Sequence, residues 1–155
     1  MALQRRSPLS GQADVIRKAH EVGLAHAASL EGLGEDDAAR RALAVVSDAG
    51  LTRFSVPAQW GGAELDGLAA RSDVSCRALC AIRAGLAYHS GMLDVMFVMQ
   101  GLGSYAIAHA GSDELRASVL PRVARGELIA AFALTEPEAG SDMGRVATRA
   151  ARNLD

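Results

Sequence analysis

The spacing of apolar and polar positions changes once along the chain, near Gly126. Before it, apolar residues recur every three or four positions, which places them on one face of a helix. Acidic residues in first turns and glycines after last turns supply start and stop signals. The chain therefore begins with a predicted helical domain, residues 1–126, in which the helices span about 12–30, 35–49, 66–83, 86–110 and 112–126.

The pattern after Gly126 is typical of extended structure. The apolar run 128–134 is too short for a packed helix, and Pro137 forces the residue before it toward an extended conformation. A weak alternation at 146–150 predicts a second strand. We therefore expect residues 127–155 to begin a β-domain.

The apolar stripes also assign an inner face to the later helices. The helix at 66–83, which Asp66 can cap, is expected to bury Ala69, Cys76, Leu79 and Cys80. The last helix begins after a capping Ser112 and is expected to bury Leu115, Val119 and Val123. Pro121 is expected to kink or restart it, because proline lacks an amide hydrogen.

Composition excludes several classes of function. With 16 basic and 18 acidic residues the net charge is −2, which favours neither nucleic acid nor an anionic membrane as a partner. We find no apolar segment of 18 residues, so no membrane span is predicted. The first eleven residues lack the apolar run of an export signal, which predicts a cytoplasmic protein with reduced, buried cysteines. Scattered histidines and one cysteine pair predict no metal site.

The helix at 86–110 contains two patterns that could suggest a ligand. Its methionines, Met92, Met96 and Met99, share one face and are typical of core filling. Gly101 to Ala106 fits the dinucleotide fingerprint G-x-G-x-x-A, but that fingerprint needs a strand before it and a long helix after it. The surrounding pattern is helical, so we do not predict a dinucleotide site here.

Residues 135–142 read T-E-P-E-A-G-S-D and follow the apolar run directly. This passage resembles the signature of the acyl-CoA dehydrogenases, flavin enzymes that oxidise acyl thioesters between the α and β carbons. The resemblance covers about residues 13–150 and includes Gly50-Leu51, Val56-Pro57, Trp60-Gly61-Gly62, Leu120-Pro121 and Gly126-Glu127. It implies an orthogonal helical N-terminal domain followed by the first strands of a truncated, β-barrel-like domain.

The resemblance also implies site residues, with FAD as the cofactor and an acyl-CoA or acyl-carrier-protein thioester as the substrate. The residues that match the family's FAD-contacting positions are Phe132, Leu134, Thr135, Gly140 and Ser141. Ser141 also matches a substrate contact, and Phe97, Val98 and Leu102 are candidates for lining the acyl chain. Glu136 is expected to have a structural role, and Glu138 is expected to face solvent.

The family's catalytic base is a glutamate of a C-terminal helical bundle, which the resemblance places outside this chain. It implies a homo-oligomer of fatty acid metabolism, and an isolated chain that is inactive. A natural short protein, a split gene with a C-terminal partner chain and a frame-shifted fragment all stay open. Two other functions also stay open: a flavin monooxygenase of the same fold, and a non-catalytic helical module that binds acyl chains or a protein.

Overall fold

Five α-helices form the described part of the protein, residues 8–65 and 73–151 of a computed structural model. The prediction of a mainly α fold is confirmed. The helices are α1 Pro8–His26, α2 Glu35–Asp48, α3 Cys76–Ala87, α4 Gly91–Ala110 and α5 Asp113–Ala124. Short 3₁₀ turns occupy Ala27–Leu30, Thr52–Ser55, Ala58–Trp60 and Met143–Arg145.

The predicted strands are not paired into a sheet within this part of the chain. The backbone of residues 129–135 belongs to no helix or strand, and one isolated bridge joins Glu136 to Ala139. An extended segment becomes a strand only when a neighbour supplies ladder hydrogen bonds, and no such neighbour is present among the described residues. Residues 146–150 are likewise unpaired there, so the β-domain stays a prediction.

Serine caps set two helix starts that the apolar pattern misplaced. Ser75 Oγ accepts the amide hydrogen of Ala78, at 3.3 Å, and starts α3 at Cys76. Residues 73–75 are not helical, whereas the proposed cap Asp66 and Ala69 lie outside the described residues. Ser90 starts α4 in the same way, because its Oγ accepts from Leu93 N at 3.4 Å. Leu86 therefore lies in the last turn of α3 instead of starting α4.

The larger core cluster joins α1, α2, α3 and α4. Its fully buried members include Val46, Leu51, Ile82, Leu86, Leu93 and Phe97. Each buried aliphatic or aromatic side chain stabilises the fold by about 1.5–3 kcal/mol. Helices α1 and α3 approach closely at Gly85, where an added Cβ would lie 2.6 Å from Ala19 Cβ. A smaller cluster of Val56, Leu120, Val123 and Ala124 lies beneath Trp60 and Leu128.

Two buried faces differ from the predicted ones. Cys76 and Cys80 are exposed, so the prediction that they are buried is wrong. The inner face of α3 is instead made by Ala78, Ala81, Ile82, Gly85 and Leu86, rotated away from the cysteines by packing against α1. Leu115 on α5 is also exposed, at 44%, because the buried residues of α5 lie in its last turns.

The proline in α5 does not interrupt the helix, so the predicted restart is wrong, whereas the predicted kink stays a prediction. Pro121 lies inside Asp113–Ala124, and its carbonyl accepts the amide hydrogen of Arg125 at 3.2 Å. Proline removes one helical hydrogen bond, to the carbonyl of Ala117. Ala117 lies on the exposed side of α5, where water can replace the lost donor.

Helix α4 is the central element. It is long and apolar enough, by length and composition, to cross a membrane, which corrects the expectation that the chain has no such segment. In the described structure it packs against α2, α3 and α5. Asp94 on α4 accepts two 2.8 Å hydrogen bonds from Arg83 of α3. At its other end Arg116 of α5 donates to the carbonyls of Ala108 and His109, at 2.9 and 3.1 Å, and so caps α4.

The loop between α2 and α3 is held by backbone contacts that leave no room for a side chain at Gly62. An added Cβ there would overlap the carbonyl oxygen of Val56 and approach that of Arg53 at 2.9 Å. Ala63 N donates to the same Arg53 carbonyl at 2.8 Å, which closes the turn. Thr52 Oγ1 anchors the loop to α5 by donating to Ala124 O at 2.8 Å.

We expect Gly62→Ala to destabilise the protein by roughly 2 kcal/mol or more, because the clash is with backbone that cannot move without opening the turn. Thermal unfolding should show a midpoint lower by roughly 5 °C. The matched control is Gly91→Ala at the start of α4, where an added Cβ meets nothing within 4 Å. An equal midpoint for the two variants would contradict the assigned role of Gly62.

Candidate functional site

The candidate site begins where the chain leaves α5. Gly126 has a φ of 72° and turns the backbone out of the helix. We call residues 128–135 the extended segment, after the conformation that the sequence predicts for them. They belong to no helix or strand, and Leu128 and Ala130 pack on the smaller core cluster. A cavity of about 270 Å³ lies at this junction, lined by α4, α5 and residues 128–131.

Two residues of α4 fix the start of the extended segment. Gln100 Oε1 accepts the amide hydrogen of Ala130 at 3.1 Å. At Gly103 the backbone of Ala131 comes so close that an added Cβ would lie 2.6 Å from its nitrogen and its oxygen. Neither residue has a role predicted from the sequence. A buried glutamine and an interior glycine on an otherwise apolar helix are signals that could have found them.

Beyond this anchor the segment presents unpaired groups. Phe132 is 51% exposed, Thr135 is exposed and Leu134 is half-buried. The backbone N–H and C=O groups of residues 131–135 pair with no other group in the described part of the chain. Unpaired amide donors, a hydroxyl and an aromatic ring on one extended segment fit a planar ligand with polar edges.

A tight turn follows the extended segment. Glu136 and Ala139 exchange two backbone hydrogen bonds of 3.0 and 3.1 Å, with Pro137 and Glu138 at the corner. Ala139 is buried, while Gly140 and Ser141 are exposed after the turn. Ser141 is therefore accessible, as a ligand contact requires. Glu138 is exposed as predicted and lies 3.8 Å from Arg145.

The Glu136 carboxylate holds the next stretch of chain in place. Its two oxygens accept the amide hydrogens of Ala147 and Thr148, each at 2.9 Å. These hydrogen bonds favour the charged form and therefore hold the pKa of Glu136 below its usual value. The bond from Ala147 N has the largest effect. The geometry is that of a structural clamp, in agreement with the role expected from the sequence.

The three candidates for the acyl chain do not share one face of α4. Phe97 is fully buried in the larger core cluster, Val98 is half-buried and Leu102 is 46% exposed. Adjacent positions of a helix point about 100° apart, so Phe97 and Val98 do not share one face. Phe97 is therefore a core residue, and Leu102 is the accessible member of the set.

The structure brings two histidines together that are far apart in the sequence. His20 Nδ1 and His89 Nε2 lie 3.2 Å apart, in contact with the ring of Tyr88. Within residues 8–65 and 73–151, no group of three His, Cys, Asp or Glu side chains is placed to hold a metal ion.

The sequence profile described as "Acyl-CoA dehydrogenase, N-terminal domain" matches residues 13–127, which is most of the helical domain. The chain belongs to the acyl-CoA dehydrogenase family. The G-x-G-x-x-A pattern of this chain lies inside the matched residues, and in the structure it lies wholly within α4.

Curated relatives agree with this assignment. Cyclohexane-1-carbonyl-CoA dehydrogenase of Geobacter metallireducens is 34% identical over 90% of this chain and 34% of its own length. A probable acyl-CoA dehydrogenase of Mycobacterium leprae is 32% identical over 74% of this chain and 27% of its own. L-prolyl-[peptidyl-carrier protein] dehydrogenase of Pseudomonas fluorescens is 32% identical over 71% and 27%. The chain spans about a third or less of the length of these relatives.

We expect the Glu136 clamp to release on acidification. Because the pKa of Glu136 is lowered in the folded state, its contribution is present above the unfolded pKa and is lost as the pH falls through the folded one. Protection of the Ala147 and Thr148 amides from hydrogen exchange should fall with it. Glu136→Gln should lower the same protection at neutral pH, since a carboxamide offers one acceptor oxygen instead of two.

The matched control for this prediction is Glu138→Gln, which removes a charge at an exposed corner of the same turn. It should leave the exchange of both amides unchanged. Equal protection in the Glu136→Gln and Glu138→Gln proteins would show that the carboxylate of Glu136 does not hold this stretch.

Proposed function

We propose that this chain forms the N-terminal part of the active site of an FAD-dependent acyl-CoA dehydrogenase, an oxidoreductase acting on the α,β bond of an acyl thioester. The observation that carries the proposal is the extended segment 131–135, with its unpaired backbone groups, leading into the exposed Gly140 and Ser141. Membership of the family and relatives named as dehydrogenases support it.

In this proposal the residues of the segment bind and orient the flavin. The N–H groups of Phe132 and Leu134 and the hydroxyl of Thr135 donate to the polar edge of the ring, where donors stabilise negative charge. Bound FAD would supply the acceptor for the hydride that leaves the β carbon. Phe132 and Leu134 present apolar surface to the ring and exclude water from it. Ser141 binds both the cofactor and the thioester.

The α proton is removed by a base that we do not place in this chain. A thioester α proton is a weak acid, so the base must lie within hydrogen-bond reach of it. Glu136 lies next to the segment, but both of its carboxylate oxygens are engaged by backbone amides. The family resemblance implies that the base is a glutamate from outside residues 1–155, and we therefore propose that the chain alone is inactive.

The substrate belongs to the class of acyl thioesters. One relative is named for a CoA ester and another for a carrier-protein ester, so the proposal covers both carriers. Val98 and Leu102 face the acyl chain, with Phe97 behind them. The proposal also includes a role in fatty acid metabolism and a β-domain that begins at residue 127. It places the protein in the cytoplasm as a homo-oligomer and includes a C-terminal partner chain if the gene is split. The monooxygenase and non-catalytic alternatives gain no support from relatives named as dehydrogenases.

The experiment is a titration of the purified chain with FAD, followed by flavin fluorescence and visible absorbance. We expect saturable binding, and a dissociation constant roughly tenfold higher for Thr135→Val, which removes a single donor without changing the side-chain shape. The control is Ser118→Ala, since Ser118 is exposed on α5 and its hydroxyl bonds only locally, to Leu115 O at 3.0 Å. Absence of FAD binding by the parent chain, or equal FAD affinities of the two variants, would count against the proposal.

A further inference from the structure

The side chain of Gln100 is fully buried, and both ends of its carboxamide are used. Nε2 donates to the carbonyl of Met96, one turn earlier in α4, at 3.2 Å. Oε1 accepts from Ala130 N at 3.1 Å, across 30 residues of sequence. A buried carboxamide requires such partners, but its own helix alone could have met only part of that requirement. The second bond makes Gln100 a connection between α4 and the extended segment.

The close approach at Gly103 acts on the next residue of the same segment. An added Cβ at Gly103 would meet Ala131 N and O at 2.6 Å and the carbonyl carbon of Ala130 at 2.9 Å. Gln100 and Gly103 are about one helical turn apart, so together they set both the register and the distance of the segment from α4. Gln100 fixes which residue faces the helix, and Gly103 lets it come near.

This anchor lies immediately before the residues proposed to contact the flavin. Ala130 precedes Phe132 by two positions, and the backbone of residues 131–135 has no other partner in the described ranges. After Thr135, the next described backbone hydrogen bonds belong to the Glu136–Ala139 turn. The position of Phe132 and Leu134 relative to the helical domain therefore depends on the hydrogen bond that Ala130 N donates to α4.

We infer that Gln100 is a positioning residue for the reaction: it fixes the extended segment against α4, and through it the donors of Phe132, Leu134 and Thr135. The effect on FAD rests on the proposed function, whereas the effect on the segment does not. Gln100 itself does not touch the cofactor in this inference. A glutamine that only filled the core would leave residues 130–135 unchanged when replaced by an apolar side chain of similar size.

The first test is Gln100→Met, which keeps volume and helix propensity but removes both hydrogen bonds. In the full chain, protection of the Ala130 amide from exchange should fall at least tenfold, and the amide resonances of Phe132, Leu134 and Thr135 should shift. The FAD dissociation constant should rise at least fivefold. The control is Ser104→Ala, because Ser104 is also buried on α4 but its hydroxyl donates within the helix, to Gln100 O at 2.6 Å.

The second test is Gln100→Glu, which separates positioning from core filling through its pH dependence. A protonated carboxyl can donate to Met96 O and accept from Ala130 N–H as the carboxamide does, whereas a carboxylate has no proton to donate, is repelled by the Met96 carbonyl and leaves the buried site to be hydrated, which breaks the bond to Ala130 as well. Burial raises the pKa of such a group, so the neutral form is accessible at mildly acidic pH. We expect the protection of the Ala130 amide to be restored near pH 5 and lost near pH 8, and FAD affinity to follow it. Neither described partner of the Gln100 carboxamide, Met96 O or Ala130 N, titrates.

The outcomes are distinguishable. Unchanged Ala130 protection and unchanged resonances at 132–135 in Gln100→Met would overturn the inference, whatever the protein does with FAD. Altered resonances with unchanged FAD affinity would overturn the role in the reaction. A parent chain that does not bind FAD would overturn the proposed function, and the exchange and resonance data would still decide whether Gln100 positions the segment.

Discussion

Burial of helix α4 is the constraint from which the rest of the fold follows. Nearly every position of Gly91–Ala110 is apolar or small, and α2, α3, α5 and the Thr52–Ser55 turn cover successive parts of its surface. Among the described residues, the polar side chains buried on it are Asp94, Gln100 and Ser104, and each has a partner. Because an unpaired polar group in such a core is expensive, these partners determine what packs where.

The partners also divide the helix by function. Asp94, in the first half of α4, accepts hydrogen bonds from Arg83 of α3, so this half of the helix joins α4 to the bundle. Gln100 and Gly103, in the second half of α4, contact the extended segment. The bundle is thus stable on one side and carries its candidate ligand-binding segment on the other. This arrangement lets a segment with unpaired backbone keep a defined place on a rigid support.

The parts of the fold that the sequence predicted depend on local signals. Gly50 and Gly126 have the positive φ angles expected of helix ends, and Ser112 caps α5 through Leu115 N. The errors depend on tertiary packing. The cysteines of α3 have the right spacing for a buried stripe, but packing against α1 selected the stripe of Ile82 and Leu86. Pro121 is a residue type that breaks helices, but the carbonyl that loses its donor belongs to the exposed Ala117, and the helix continues.

The candidate site was found through its signature and not through its geometry. Resemblance identified Phe132, Thr135 and Ser141, and the structure places all three on accessible backbone. It could not show that Phe97 faces the core, because a face depends on which neighbours are present. Gly103 shows the same limit: its pattern fits a dinucleotide fingerprint that the helical context argues against, but the reason for a glycine there lies in a segment 28 residues away.

The outward position of Cys76 and Cys80 changes what their reactivity can report. In many proteins a thiol reagent measures unfolding, since buried sulfur reacts only after the core opens. Here both sulfur atoms lie on the solvent side of α3, and the chain has two cysteines in all. The group that alkylation adds would therefore extend into solvent and would not enter the core. Its rate would record the intrinsic nucleophilicity of each thiol in a native protein, with no dependence on global opening.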